Sequence, residues 1–274
     1  MAVTSSRSSE RGELRRGARR RASWRVRELA GVMAAGLLVS LALHQVFQVK
    51  TQPLAGIEAA LASRQLLDVN AIGAREDLLP ALSMFHSQTE RDFAARKIYY
   101  ISGSLSNVGA IARLRVTSEE LGETHGLDAW RERLKDRSSA PLLTAEEFRK
   151  LKPLLVVRRP EKFRATFWLW AGCFLAAFLL VHIAWSALAF RGDQTLLPAV
   201  MLLTGAGLVL MVSLRDPVRD NLLFADFAQG VALGCVLLGA ASLLDFERLL
   251  GKLSFVPLIA SLLLSALLLS LIHI

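Results

Sequence analysis

The chain has 274 residues, of which 53% are hydrophobic, and a formal net charge of +9. Its apolar residues gather into long uncharged runs, which excludes an ordinary soluble globular protein because too little polar chain remains to cover them. The positive charge does not call for a nucleic-acid partner, since nine arginines fall in the first 27 residues (Arg7, Arg11, Arg15, Arg16, Arg19, Arg20, Arg21, Arg25 and Arg27).

Residues 1–28 form a basic tail in which Arg15, Arg16, Arg19, Arg20 and Arg21 are the candidate topology anchors. A cluster of this kind before an apolar run is expected in the cytoplasm, against anionic lipid headgroups. Residues 29–49 carry no Asp, Glu, Lys or Arg. Crossing a hydrocarbon core of roughly 30 Å takes about 20 apolar residues as helix, so this run is the first expected span. It is longer than a signal-peptide core and shows no small-x-small cleavage pattern at 45–54, which favours an uncleaved anchor.

Residues 50–164 hold 19 basic and 15 acidic side chains among scattered apolar ones, the composition of a solvated folded domain. Apolar spacing predicts helices over 57–67, 76–85 and 90–101. Thr144 with Glu147 forms a capping-box pattern that opens a short helix ending before Pro153, and Thr117 with Glu120 offers a second. The stretch 103–109 is turn chemistry. Two segments, 67–82 and 105–116, partly resemble helix-hairpin-helix modules that present backbone amides to phosphate. Only Gly109 supplies a hairpin glycine, so a turn that merely packs is preferred.

Four further runs follow, at 165–190, 194–214, 227–244 and 253–274, again without charged residues. Trp168, Trp170 and Trp185 lie toward the ends of the first of these, where amphipathic rings favour the interface. The predicted class is therefore an all-α polytopic membrane protein with five spans and a small helical domain between the first and second. A cytoplasmic N-terminus puts residues 50–164 and 215–226 on the outer side, and 191–193 and 245–252 inside. Arg158, Arg159, Lys162 and Arg164 crowd the outer start of the second span against the charge rule, though long loops translocate largely regardless of charge. Cys173 and Cys235 lie inside spans, so the exposed domain can hold no disulfide.

Catalytic chemistry is not legible in these residues. His44, His86, His125, His182 and His273 are scattered without metal-ligand spacing, and no cofactor motif is identifiable. His44 and His182 fall inside spans, where a polar side chain is a functional candidate or a helix-to-helix hydrogen-bonding group.

The last 80 residues carry more specific patterns. The third run contains Thr-Gly-Ala-Gly-Leu around Gly205 and Gly207; Asp216-Pro217 follows in an outer loop; Gln229 opens the fourth run, which leads into Asp245-Phe246-Glu247-Arg248-Leu249. In order and spacing, residues 194–272 resemble the start of the FtsW/RodA (SEDS) family of cell-shape and cell-division proteins. The motif positions are Gly205, Gly207, Gln229, Asp245, Arg248 and Leu249, with Phe246 where the family often has Tyr. The resemblance implies a bacterial inner-membrane protein that polymerises lipid-linked peptidoglycan precursor and works with a class B penicillin-binding protein or other cell-wall machinery. It covers about three of the family's ten core spans, and the family's essential Asp belongs to a later outer loop. The chain stops inside an apolar run at Ser-Leu-Ile-His-Ile, and on this reading it is an inactive N-terminal portion of a longer protein. The alternatives are a membrane-anchored module that grips DNA or an envelope partner through the hairpin-like turns and the basic run 149–164, and a scaffold without chemistry.

Overall fold

The computed structural model describes residues 3–122, 125–135, 137–188, 190, 193, 195–243, 255, 259 and 261–264, with side chains from residue 26 onward. Helix α1 (Val3–Thr51) is continuous, and Val32, Ala35, Val39, Leu43 and Phe47 form one buried stripe along it at the three-and-four spacing of a helix face. Pro53 begins a new helix, α2 (Leu54–Ala62), supplying the fixed φ suited to a helix start. That helix closes in a Schellman cap: the Gln65 amide donates to Ala60 O at 2.9 Å and the Arg64 amide to Leu61 O at 3.2 Å, with Arg64 at φ 58°.

The domain that follows contains α3 (Gln88–Ile101), α4 (Ser118–Leu121), α5 (Asp128–Leu134) and α6 (Ala145–Leu151), with strands β1 (Leu67–Asp68), β2 (Arg115–Thr117), β3 (Ser139–Pro141) and β4 (Leu155–Val156). Strands β1 and β4 pair in parallel and β2 and β3 antiparallel, so the all-helical expectation for this domain is corrected. Strands of two or three residues are too short to display a period of two. The helix predicted over 90–101 is α3, with Glu90 Oε2 accepting from the Ser87 amide. The stretch 76–85 instead forms short 3-10 turns, Arg75–Leu78 and Pro80–Leu82, because Pro80 has no amide to extend a helix. The predicted helix over 57–67 stops at Ala62, and Leu67 opens β1.

Trp130 is the centre of the domain core. It is fully buried, donates Nε1–H to Leu142 O at 2.8 Å, and lies 5.4 and 5.2 Å from the rings of Phe85 and Phe93. The capping box on α6 has both its bonds, Glu147 amide to Thr144 Oγ1 and Thr144 amide to Glu147 Oε2.

Helices α7 (Pro160–Ala187), α8 (Leu196–Leu214) and α9 (Leu223–Ala241) complete the described bundle. Together with the segment from Val26 to Ala62 they make four helices long and apolar enough to cross a membrane. The fifth expected span, 253–274, lies mostly outside the described residues; within it Phe255, Ile259 and residues 261–264 are exposed. Helix α1 packs on α8, and α7 on α9. At the domain end of the bundle Phe47, Phe163, Phe167 and Phe224 form an aromatic cluster, with the Phe47 and Phe167 centroids 4.6 Å apart.

Candidate functional site

The glycines singled out by sequence stand where helices come closest. A Cβ on Gly205 of α8 would lie 2.3 Å from Val39 Cγ2 on α1, and one on Gly207 would lie 3.0 Å from Phe227 Cζ on α9. The two glycines therefore serve two different contacts of one helix, which is the use of small residues in lipid. Gln229 is exposed on α9 and is not brought together with them. Asp245, Arg248 and Leu249 lie outside the described residues. Arg15, Arg16, Arg19, Arg20 and Arg21 fall on the α1 backbone ahead of the described side chains.

A polar contact crosses the bundle between α1 and α7. Glu28 and His182 are 8% and 7% exposed, with Oε1 and Nδ1 3.4 Å apart, and the indole nitrogen of Trp185, one turn beyond His182, is buried without a hydrogen bond among the described residues. His182 thus lies against a neighbouring helix, but neither its Nδ1 nor Glu28 Oε1 makes a hydrogen bond among the described residues, so the helix-to-helix hydrogen bond expected as one of its two readings is not formed there. His44 does not: its Nε2 lies 3.4 Å from Gln48 Nε2 on the same helix. Sequence reasoning missed Glu28 because the first span was started one residue later. The available signal was its place on the helical stripe that continues through Val32, Ala35 and Val39.

The most elaborate constellation joins the loop between α8 and α9 to the domain. Asp216 Oδ1 accepts from the amides of Val218 and Arg219 and folds the loop on itself, and Asp220 Oδ2 accepts from the Asp216 amide. Val218 is wholly buried. The Val108 amide donates to Arg219 O at 2.8 Å and the Val157 amide to Val218 O at 3.0 Å. The Arg219 guanidinium donates to Leu155 O and Pro153 O and pairs with Asp216 at 3.0 Å. From the domain side Arg158 donates to Pro217 O, Asp220 O and Ser106 O, and Lys152 pairs with Asp220 at 3.4 Å. Lys50, at the end of α1, donates to Arg215 O at 2.8 Å. Burial opposes the charge on Arg158 and pulls its pKa below the ordinary arginine value, with Asp216 pulling it back up.

Such bonds account for three of the four basic residues that crowd the start of the second span. Arg158 holds the loop, Arg159 pairs with Asp68 at 3.4 Å, and Arg164 pairs with Glu58 at 3.0 Å. They also bear on the hairpin-like segments. The Val108 amide is committed to Arg219 O, and Asn107 Nδ2 donates to Asn221 Oδ1, so the second hairpin turns toward the loop instead of offering its first amide to phosphate. The first segment is tied down through Asn70, whose amide group donates to Leu105 O and Val157 O and accepts from the Leu105 amide. No sequence pattern announced Asn70 or the docking of Arg219.

Among the described residues no group of three or more His, Cys, Asp or Glu side chains gathers as a metal ion would need. A groove of about 610 Å³ opens between the end of α2 and the domain, lined among others by Arg64, Asp68, Glu76, Asp77 and Arg159. No family model matches this chain, and no curated protein or solved structure matches it either.

Proposed function

We propose that this chain is the N-terminal part of a SEDS-type peptidoglycan glycosyltransferase of the bacterial inner membrane, with the N-terminus cytoplasmic and residues 50–164 outside. Its own contribution is architectural: α8 and α9 begin the polymerase core, and the domain between the first two spans caps that core on the outer face. The reaction, joining lipid-linked disaccharide units into glycan, belongs to later parts of such a protein, and a class B penicillin-binding protein is the expected partner.

The observation that carries this reading is the ordered series Gly205, Gly207, Asp216-Pro217 and Gln229, together with the packing of its members. Both glycines lie at helix contacts that a Cβ would obstruct, and the Asp-Pro loop is folded by its own carboxylates. The domain and the 215–221 loop meet on one side of the bundle, as alternating spans require for two segments assigned to the same face. The committed amide at Val108 and the internal pairing of Arg158, Arg159, Arg164 and Lys152 weigh against the DNA-gripping alternative.

The test is to purify the product of the complete reading frame that contains this chain and incubate it, in lipid, with fluorescent lipid-linked precursor and a class B penicillin-binding protein. Polymerised glycan is the expected product. A complete frame that co-purifies with no cell-wall enzyme and forms no polymer contradicts the proposal.

A further inference from the structure

The groove beside α2 is the cavity whose chemistry goes furthest beyond the core reading, and it requires only that the chain sits in a membrane. Leu66 and Leu154 give it apolar wall, Arg64 and Arg159 give it positive charge, and Glu76 and Asp77 give it negative charge. Its depth is set by α7. Arg159 lies one residue before that helix and about 9 Å ahead of the apolar run beginning at Ala165, which puts it at the outer edge of the lipid headgroup layer.

Arg64 is the residue that packing alone does not explain. It occupies the left-handed position of the Schellman cap, where glycine is the residue without steric penalty. A basic residue near a helix C-terminus is favoured by the dipole, but that benefit is open to any position in the last turn and needs no positive φ. Its side chain is exposed and lines the groove, and among the described residues its guanidinium has no ionic partner. Arg159 keeps 65% of its side chain exposed while pairing with Asp68, so it too can reach a ligand. Among the described residues Glu76 pairs only with its neighbour Arg75, and both are at least half exposed, so that contact is readily exchanged. Asp77 Oδ2 accepts from the Ala74 amide, and among the described residues its other oxygen is left for a donor.

We propose that this groove binds the headgroup of an amine-bearing zwitterionic phospholipid, with its phosphate on Arg64 and Arg159 and its ammonium on Glu76 and Asp77. Guanidinium groups match phosphate oxygens in paired hydrogen bonds, and a primary ammonium donates to carboxylates where a trimethylated one cannot. The leucine wall faces the glycerol and the first methylenes of the chains.

The test uses the full chain in detergent, titrated with phosphatidylethanolamine, phosphatidylcholine or phosphatidylglycerol and read by native mass spectrometry. Phosphatidylethanolamine should be retained about tenfold more strongly than either of the others, the worth of a charge-assisted bond. Arg64→Gly should raise the melting temperature by roughly 2 °C by relieving the left-handed arginine, yet lower phosphatidylethanolamine retention about tenfold. Arg64→Gln should lower retention without that rise, and Glu76→Gln with Asp77→Asn should erase the preference over phosphatidylglycerol. Glycerophosphoethanolamine should compete and inorganic phosphate should not. Equal retention of the three lipids, wild-type retention by Arg64→Gly, or equal competition by inorganic phosphate would each overturn the proposal.

Discussion

The small domain and the bundle of apolar helices are neighbours with separate cores, and their packing differs in kind. In the domain, Trp130 brings a large apolar area out of water and its one polar atom is satisfied by Leu142 O. For helices long and apolar enough to cross a membrane, lipid would be as apolar as the helix surface, so close packing would have to do what water does elsewhere. Gly205 against Val39 and the stacked phenylalanines supply it. Between the two lies the 215–221 loop, chain that belongs to the bundle by sequence and to the domain by its hydrogen bonds. The difference teaches that a short polar loop can decide whether a domain is tethered to a membrane or built onto it.

The comparison can be broken at its strongest point first. Trp130→Ala should cost the domain about 3–5 kcal/mol, the range for deleting a buried tryptophan, while leaving the bundle helical. Limited proteolysis should then cut within residues 64–158 while α7 to α9 stay protected in detergent. Simultaneous loss of both regions would mean that they are one cooperative unit. The seam comes next. Arg219→Ala removes bonds to two carbonyls and to Asp216 and should weaken docking by about 1.5–3 kcal/mol, seen as faster hydrogen exchange at the Val108 and Val157 amides with the Trp130 core unchanged.

Gly205→Ala should destabilise the bundle by about 1–3 kcal/mol through overpacking, and Val39→Ala should restore part of that loss in a double-mutant cycle. Gly230→Ala on α9, where a Cβ meets nothing within 4 Å among the described residues, serves as the neutral control. The smallest effect concerns charge in the domain. Burial raises the pKa of Glu147, but the Arg133 hydrogen bond at 2.7 Å and the Thr144 amide outweigh it and hold the carboxyl below the ordinary glutamate value. A depressed folded-state pKa gives stability that is present above the unfolded value and lost as pH falls through the folded one. Glu147→Gln should therefore cost up to about 1 kcal/mol near pH 7, with the gap to wild type closing once the medium is more acidic than the ordinary glutamate range.

Much of the bundle was legible because lipid imposes one rule, that apolar runs of sufficient length be helical, and α1, α7, α8 and α9 obey it. The glycines of α8 were singled out by the family resemblance, and the helices they meet were seen only in the structure. Glu28 was not legible, because a threshold on charge places the boundary of a span before it considers which face a residue occupies. Within the domain, α3 was announced by its apolar spacing and α6 by the Thr144 cap, both signals that act within a few residues, whereas the Ser87 cap of α3 was not read. The strands, the Asn70 junction and the bonds that Arg158 and Arg219 make to distant carbonyls join residues 22 to 88 positions apart, and no local pattern encodes a pairing over that distance. Arg158, Arg159 and Arg164, which a charge count sets against the expected topology, are partners of specific carbonyls and carboxylates, a role that no count of charges reveals.

The central claim is that the 215–221 loop fastens the domain onto the same face of the bundle from which the loop emerges. Asn107 and Asn221, whose side chains meet at 3.0 Å, provide the most direct measurement. In a background with Cys173 and Cys235 replaced, cysteines at both positions should crosslink with a short thiol-reactive bridge in intact cells, and each single cysteine should be labelled by a membrane-impermeant reagent from the outside. Failure to crosslink, or labelling of the two positions from opposite sides of the membrane, would contradict the account.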